Sequence, residues 1–250
     1  MKLLVDKTLL SYATPVVFSG FSASQHNTNM MSTFDSFDSY EPDIYIADAD
    51  LLNNTVYKAI EERPALRVCV FQNGNNEHPK QKEFKERFGN LYEWINTAGC
   101  ADIYTYRNPS YVKEYAADLV AIENNLGDFL SNLSVPNEII FRIFTTDVVH
   151  SKYYCGMVPD HLSKYIYKSS KFSIAAGNNF YNSAICGCYP ITPENFNIDI
   201  LYQDKNEEIK DLKENTLASN TNFHFMAKVL DKMGYDKQSK IILEKMKELL

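Results

Sequence analysis

The stretch Ile139–Ile191, IIFRIFTTDVVHSKYYCGMVPDHLSKYIYKSSKFSIAAGNNFYNSAICGCYPI, decides the fold. It divides into a strand (Ile139–Phe144), a short strand (Tyr153–Gly156), a helix (His161–Lys171) and a strand (Phe172–Gly177). A polar loop, Asn178–Asn182, then leads to a helix that opens at Ser183 and runs through Cys188 to the next strand. Short β and α segments in alternation predict a parallel sheet covered by helices. Such sheets bind ligands at the carboxyl ends of their strands, where Asn178, Asn179, Tyr181 and Asn182 fall.

The first half of the chain reads the same way. A strand-like run, Thr14–Phe18, precedes the small polar stretch 19–32, which suits a loop. PDIYIADAD is a strand ending at Asp48 or Asp50, followed by a helix NTVYKAIEER with Asn54 as its N-cap. Leu66–Phe71, bounded by Pro64 and QNGNN, is a buried strand. Phe84, Phe88, Leu91 and Ile95 recur at helical spacing, and ADIYTY (Ala101–Tyr106) follows as a strand. Tyr115, Leu119, Ile122, Leu126, Phe129 and Leu133 then step as an amphipathic helix that ends before Pro136. Proline disfavours helix in the residue before it, so the domain boundary is placed there. The division is 1–135 and 136–250, with helices over Phe223–Met233 and Ser239–Leu250 after an acidic stretch.

Bulk properties narrow the function classes. With 250 residues, 45% hydrophobic and 23% charged, the chain can bury a sizeable core without disulfides or metal. Five cysteines (Cys69, Cys100, Cys155, Cys186, Cys188) lack the paired spacing of a zinc site and read as core packing. No apolar run approaches the ~20 residues of a membrane span, and Asp6 and Lys7 interrupt any signal-like core, so a cytoplasmic protein is expected. A net charge of −7 weighs against bulk attraction to nucleic acid. Many Lys, Asn, Tyr and Ile with few Arg and Gly suggest an AT-rich coding genome, as in some bacteria and many phages.

Three segments carry a family resemblance: the turn Tyr154-Cys155-Gly156-Met157-Val158, the helix end Tyr167-Lys168-Ser169-Ser170-Lys171, and the helix opening Tyr181-Asn182-Ser183-Ala184-Ile185-Cys186-Gly187. In order and spacing they resemble the donor domain of GT-B glycosyltransferases, in particular compact phage-type and spore-coat-type members. The resemblance implies an α/β fold of two Rossmann-like lobes with parallel sheets facing a central cleft. The first lobe would hold the acceptor and the second a nucleotide-sugar, with the C-terminal helices returning to the first. Where many such enzymes carry a glutamate that grips the donor ribose, this chain has Asn182, which hydrogen-bonds without charge. The Arg and Lys that neutralise the donor diphosphate have no obvious counterpart beyond Lys152.

The implied activity is transfer of a sugar from a UDP-linked donor to a hydroxyl, with no tightly bound cofactor and no metal. His150, Lys152, Val158, Asn178, Asn179, Tyr181 and Asn182 are the donor-binding candidates. His26 and Asp48 are the candidates for the base that takes the acceptor proton, with Asp50 next after them. Ser19 and Gly20 in the first loop, and Lys82 and Lys85 in PKQKEFKERF, are the acceptor-side candidates. Each has a plainer reading: exposed loop histidine, helix cap, turn, or solvated helix face. One acceptor in view is 5-hydroxymethylcytosine in phage duplex DNA, flipped from the stack and glucosylated or arabinosylated in the host cytoplasm. Others are a small molecule, a polysaccharide or a protein, and a catalytically silent nucleotide- or protein-binding module is the reading from another class.

Overall fold

The computed structural model describes residues 1–26, 36–73, 77–89, 92–97 and 99–250. The chain forms two compact units, Met1–Ala98 joined by Asn222–Leu250, and Gly99–Thr221. Each is built on its own parallel sheet, as the alternating pattern predicts.

The first unit holds β1 (Lys2–Asp6), β2 (Ser22–His26), β3 (Ile44–Asp48), β4 (Arg67–Asn73) and β5 (Tyr92–Thr97) in the order β2-β1-β3-β4-β5. Leu3, Leu4 and Val5 are all buried, the unbroken apolar run of a strand covered on both faces. The connecting helices are α1 (Leu10–Val17), a helical segment over 36–40, α2 (Asn54–Glu61) and α3 (Pro79–Phe88). On one face Leu4, Tyr45, Val68 and Val70 pack with Val56, Ile60, Phe84 and Phe88. The cap of α2 is Asn53 rather than Asn54: its side chain accepts from the amides of Thr55 and Val56.

Several expectations for this half are corrected. Thr14–Phe18 lies largely in α1, because burial of Tyr12, Ala13 and Val16 outweighs the strand preference of its β-branched residues. The expected polar loop 19–32 includes strand β2, since Ser22–His26 pairs along β1 in register; positions 27–32 lie outside the described residues. Ile95 belongs to β5 and not to a helix with Phe84 and Phe88; Leu91 lies outside the described residues.

The second unit holds β6 (Ala117–Ile122), β7 (Phe141–Phe144), β8 (Ser170–Ile174) and β9 (Tyr189–Ile191) in the order β7-β6-β8-β9. Its helices are α4 (Ile103–Tyr106), α5 (Gly127–Asn132), α6 (Asp160–Lys168), α7 (Gly177–Cys186) and α8 (Asn206–Ser219). One face packs Leu119, Ile143, Phe172 and Ile174 with Leu130; the other packs Val120 with Ile166, Tyr167 and Ile185. Ala101–Tyr106 contains helix α4 instead of the expected strand, with Asp102 accepting from the amide of Thr105 as its cap. The predicted amphipathic helix Tyr115–Leu133 is strand β6 followed by α5. Alternate residues of β6 pack on opposite faces of the sheet, and the chain turns through Asn125 at φ +67°. Val135 is buried in the core of this unit, so the break expected at Pro136 falls inside it. Asn178–Asn182 is the first half of α7 and not a loop; Gly187, at φ +85°, closes that helix.

Two C-terminal helices, α9 (Asn222–Lys232) and α10 (Asp236–Leu249), belong to the first unit. Phe225 of α9 packs with Tyr12 and Phe71, ring centroids 5.3 and 5.0 Å away. A further tie lies at Pro15. Proline has no N–H, which leaves the Ser11 carbonyl of α1 without its intrahelical donor. The Asn222 side-chain amide supplies that donor at 2.7 Å.

Candidate functional site

In the first sheet β1 is flanked by β2 on one side and β3 on the other, which makes its carboxyl end a topological switch point, where open α/β sheets bind ligands. Asp6 ends β1 and is paired in register with His26, which ends β2. The His26 Nδ1 lies 2.7 Å from the Asp6 Oδ1, and both side chains are fully buried. The Tyr45 hydroxyl donates to the same oxygen at 2.8 Å, and the amide of Asp48 donates to the Asp6 Oδ2 at 2.7 Å. Burial and the adjacent Asp6 hold the Tyr45 phenol well above its ordinary pKa, so it stays a donor. With the carboxylate accepting, the neutral imidazole carries its proton on Nδ1 and keeps a lone pair on Nε2. That Nε2 is buried with no hydrogen-bond partner among the described residues. Phe37 and Tyr45 stand edge-on to the ring at 5.6 and 5.5 Å.

Of the two base candidates, only His26 has this freedom. Asp48 is committed locally: its Oδ1 accepts from the amide of Asp50 and its Oδ2 from the Thr8 hydroxyl. Ser19 and Gly20 form the turn that closes α1 and leads into the amino end of β2, the opposite end of that strand from His26. Lys82 and Lys85 are exposed on α3, on either side of the buried Phe84. Sequence reading missed Asp6 and Tyr45. An aspartate directly after the apolar run Leu3–Val5 is the signal that marks Asp6, the same signal that singled out Asp48.

In the second unit a cavity of about 120 Å³ opens at the carboxyl ends of β6 and β7. Ile122, Asn124, Phe144 and Thr145 form its strand side, with Val158 and Asn179 on the helical side. Asn124 is fixed there, because its Oδ1 accepts from the Thr145 hydroxyl and from both the amide and hydroxyl of Thr146. Among the described residues Asp160 is the only charged side chain lining the cavity, so it suits an uncharged ring better than a phosphate.

The other donor candidates divide. Val158 and Asn179 line the cavity. Asn178 and Asn182, one turn apart on α7, accept from the amides of Cys100 and Asp102 and so fasten the segment entering this unit. That segment approaches closely: a Cβ on Gly99 would lie 2.5 Å from the Gly177 carbonyl carbon. Tyr181 is partly buried against the core beside Ile185. The His150 amide donates to Ser131, and the Lys152 ammonium reaches Asn137 at 3.4 Å and lies over the Tyr153 ring, so neither lines the cavity.

Glu123, also missed by sequence reading, is buried just after β6. Its carboxyl accepts from the Ala176 amide at 2.7 Å, at the start of α7, and bonds to Asn179. Burial outweighs those hydrogen bonds and pushes its pKa up to about 7. Among the described residues no group of three His, Cys, Asp or Glu side chains could hold a metal ion, and no helix is long and apolar enough to cross a membrane. Burial raises the thiols of Cys69, Cys186 and Cys188 away from reactivity, the second to about 12.

No family model and no curated protein matches the sequence. Among solved structures the chain is similar to the DNA modifying enzyme β-glucosyltransferase, over 100% of this chain and 99% of that one, at 10% identity and a TM-score of 0.47. It is similar to UDP-GlcNAc 2-epimerase from Neisseria meningitidis over 96% and 94% of the two chains, at 10% identity and a TM-score of 0.43. A partial likeness to NtrX from Brucella abortus covers 38% of this chain and 22% of that one, at 15% identity and a TM-score of 0.33.

Proposed function

We propose that this chain is a glycosyltransferase that moves a sugar from a UDP-linked donor to an acceptor hydroxyl, with His26 as the general base. The observation that carries the reading is the Asp6–His26 pair at the switch point of the first sheet, with Nε2 buried and unpartnered among the described residues. In the reaction the acceptor oxygen bonds to the anomeric carbon as its proton passes to His26 Nε2. The bond from that carbon to the diphosphate breaks, and the electron pair leaves on phosphate. Asp6 stabilises the imidazolium that forms. A single displacement of this kind inverts the anomeric centre.

Support for the donor comes from the second unit. Its cavity at the strand ends, about 120 Å³, has room for one six-membered ring. Val158 and Asn179 would contact that ring. Asp48 serves the base indirectly, through its amide on Asp6. For the acceptor, hydroxymethylcytosine in DNA is tested against a small hydroxyl compound; the net charge of −7 favours the second.

The test is UDP release from UDP-glucose, with hydroxymethylated DNA, plain DNA or glycerol added. Stimulation by hydroxymethylated DNA alone assigns the DNA acceptor. His26→Ala is expected to lose ~10²-fold or more in turnover while still binding UDP. Turnover within a few-fold of wild type in that variant overturns the assignment of the base.

A further inference from the structure

His26 and Asp6 do not stand alone. Asp6 Oδ1 carries two donors, the His26 Nδ1–H at 2.7 Å and the Tyr45 hydroxyl at 2.8 Å, while its Oδ2 carries the Asp48 amide. The Tyr45 oxygen is also 3.3 Å from His26 Nδ1, so the three side chains meet around one carboxylate oxygen. All are buried, and Tyr45 is in β3, a strand that pairs with β1 through Leu4↔Tyr45. In a water-poor site, a hydrogen bond to a carboxylate is stronger than one between neutral groups, and it spreads the charge the carboxylate can offer a second partner.

From this geometry we infer that Tyr45 is a positioning residue of the proposed base: it holds Asp6 in the orientation that fixes the Nδ1–H tautomer and sets how strongly Asp6 draws the His26 proton. The inference rests on the reading of His26 as the base. Among the described residues the titratable groups around His26 are Asp6 from β1, Tyr45 from β3 and, beyond it, Asp48; Phe37, from the segment at 36–40, brings no charge. Removing the phenol hydrogen bond leaves more charge on Asp6 for His26. The imidazolium is then easier to form, and Nε2 becomes a stronger base held less firmly.

Tyr45→Phe keeps the ring and its edge contacts to His26 and Phe37, at 5.5 and 5.0 Å, and removes only the hydroxyl. The measurement is ¹⁵N NMR of the histidine rings in the full chain across pH, with His26 assigned by its loss in His26→Ala. In the wild type the high-pH spectrum should show a protonated Nδ1 and a bare Nε2. In Tyr45→Phe the midpoint of the His26 titration should move up by about half a pH unit or more. Replacing Tyr45 with 3-fluorotyrosine, isosteric and a stronger donor, should move it down. An unmoved midpoint in folded Tyr45→Phe, or shifts of the same sign in both variants, overturns the role of Tyr45. A protonated Nε2 in the wild type instead overturns the base reading itself, so the two failures are distinct. With UDP-glucose as probe, Tyr45→Phe should lower turnover several-fold and leave UDP affinity within two-fold; loss of both together would mark a merely structural tyrosine.

Discussion

Replacing Glu123 with Gln should make the second unit more stable, and by an amount that depends on pH. The unfolded chain releases the Glu123 proton near the ordinary 4.5, whereas the folded chain holds it to about 7. Between those values the native state binds more protons than the unfolded state, so this group's contribution to stability falls as pH rises. Below about 4.5 both states are protonated and the group costs nothing; above about 7 the full cost of burying the carboxylate is present. The difference between 4.5 and about 7 corresponds to about 3 kcal/mol. Glutamine keeps an oxygen for the Ala176 amide and removes the charge. Its advantage over wild type should therefore be near zero at pH 4.5 and about 3 kcal/mol at pH 8. Trp94 is in the first unit and would not report on this site. Amide hydrogen exchange of the strands Ala117–Ile122 and Ser170–Ile174 does. A stability difference between the proteins that is equal at the two pH values would refute the reasoning.

Two further outcomes concern the segment that enters the second unit. Gly99→Ala should destabilise that unit by several kcal/mol, because the new methyl meets the Gly177 carbonyl carbon at 2.5 Å and the residue sits at φ +100°. Hydrogen exchange of α7 (Gly177–Cys186) checks it, and protection equal to wild type would be the contrary result. Asn182→Ala removes the acceptor of the partly buried Asp102 amide and should cost about 1 kcal/mol of stability. Calorimetry of UDP binding on the folded variant shows whether Asn182 also serves the donor.

The sequence made the parallel sheets legible wherever an apolar run was closed off on both sides. Leu66–Phe71 between Pro64 and QNGNN was such a run, as was Ile44–Asp48, and both are strands. It misled where spacing fitted both periods. Leu119 and Ile122 match a helix, yet Leu119 and Val120 pack on opposite faces of the second sheet and Asn125 turns the chain at φ +67°. At Thr14–Phe18 local preference was overridden by the burial of Tyr12, Ala13 and Val16, aided by Asn222, which serves the Ser11 carbonyl that Pro15 leaves without a donor. Of the site, His26 was visible as a histidine after a short polar run. Its partners were not, because only the pairing of β1 with β2 and β3 brings Asp6, His26 and Tyr45 together. Glu123 was hidden for a related reason: its effect comes from burial against the start of α7, far along the chain.

The interrupted first unit also dictates an order of assembly. On the ribosome, residues 99–221 are complete, with every strand of their sheet, before any of 222–250 has been made. The second unit can close while the first still lacks the aromatic layer of Phe223 and Phe225 and the side chain that relieves Pro15. Residues made before position 99 thus reach their final packing only after the second unit can be complete. Helix α1, whose Ser11 carbonyl takes its donor from Asn222, reaches its final packing only once the helices after residue 221 are in place.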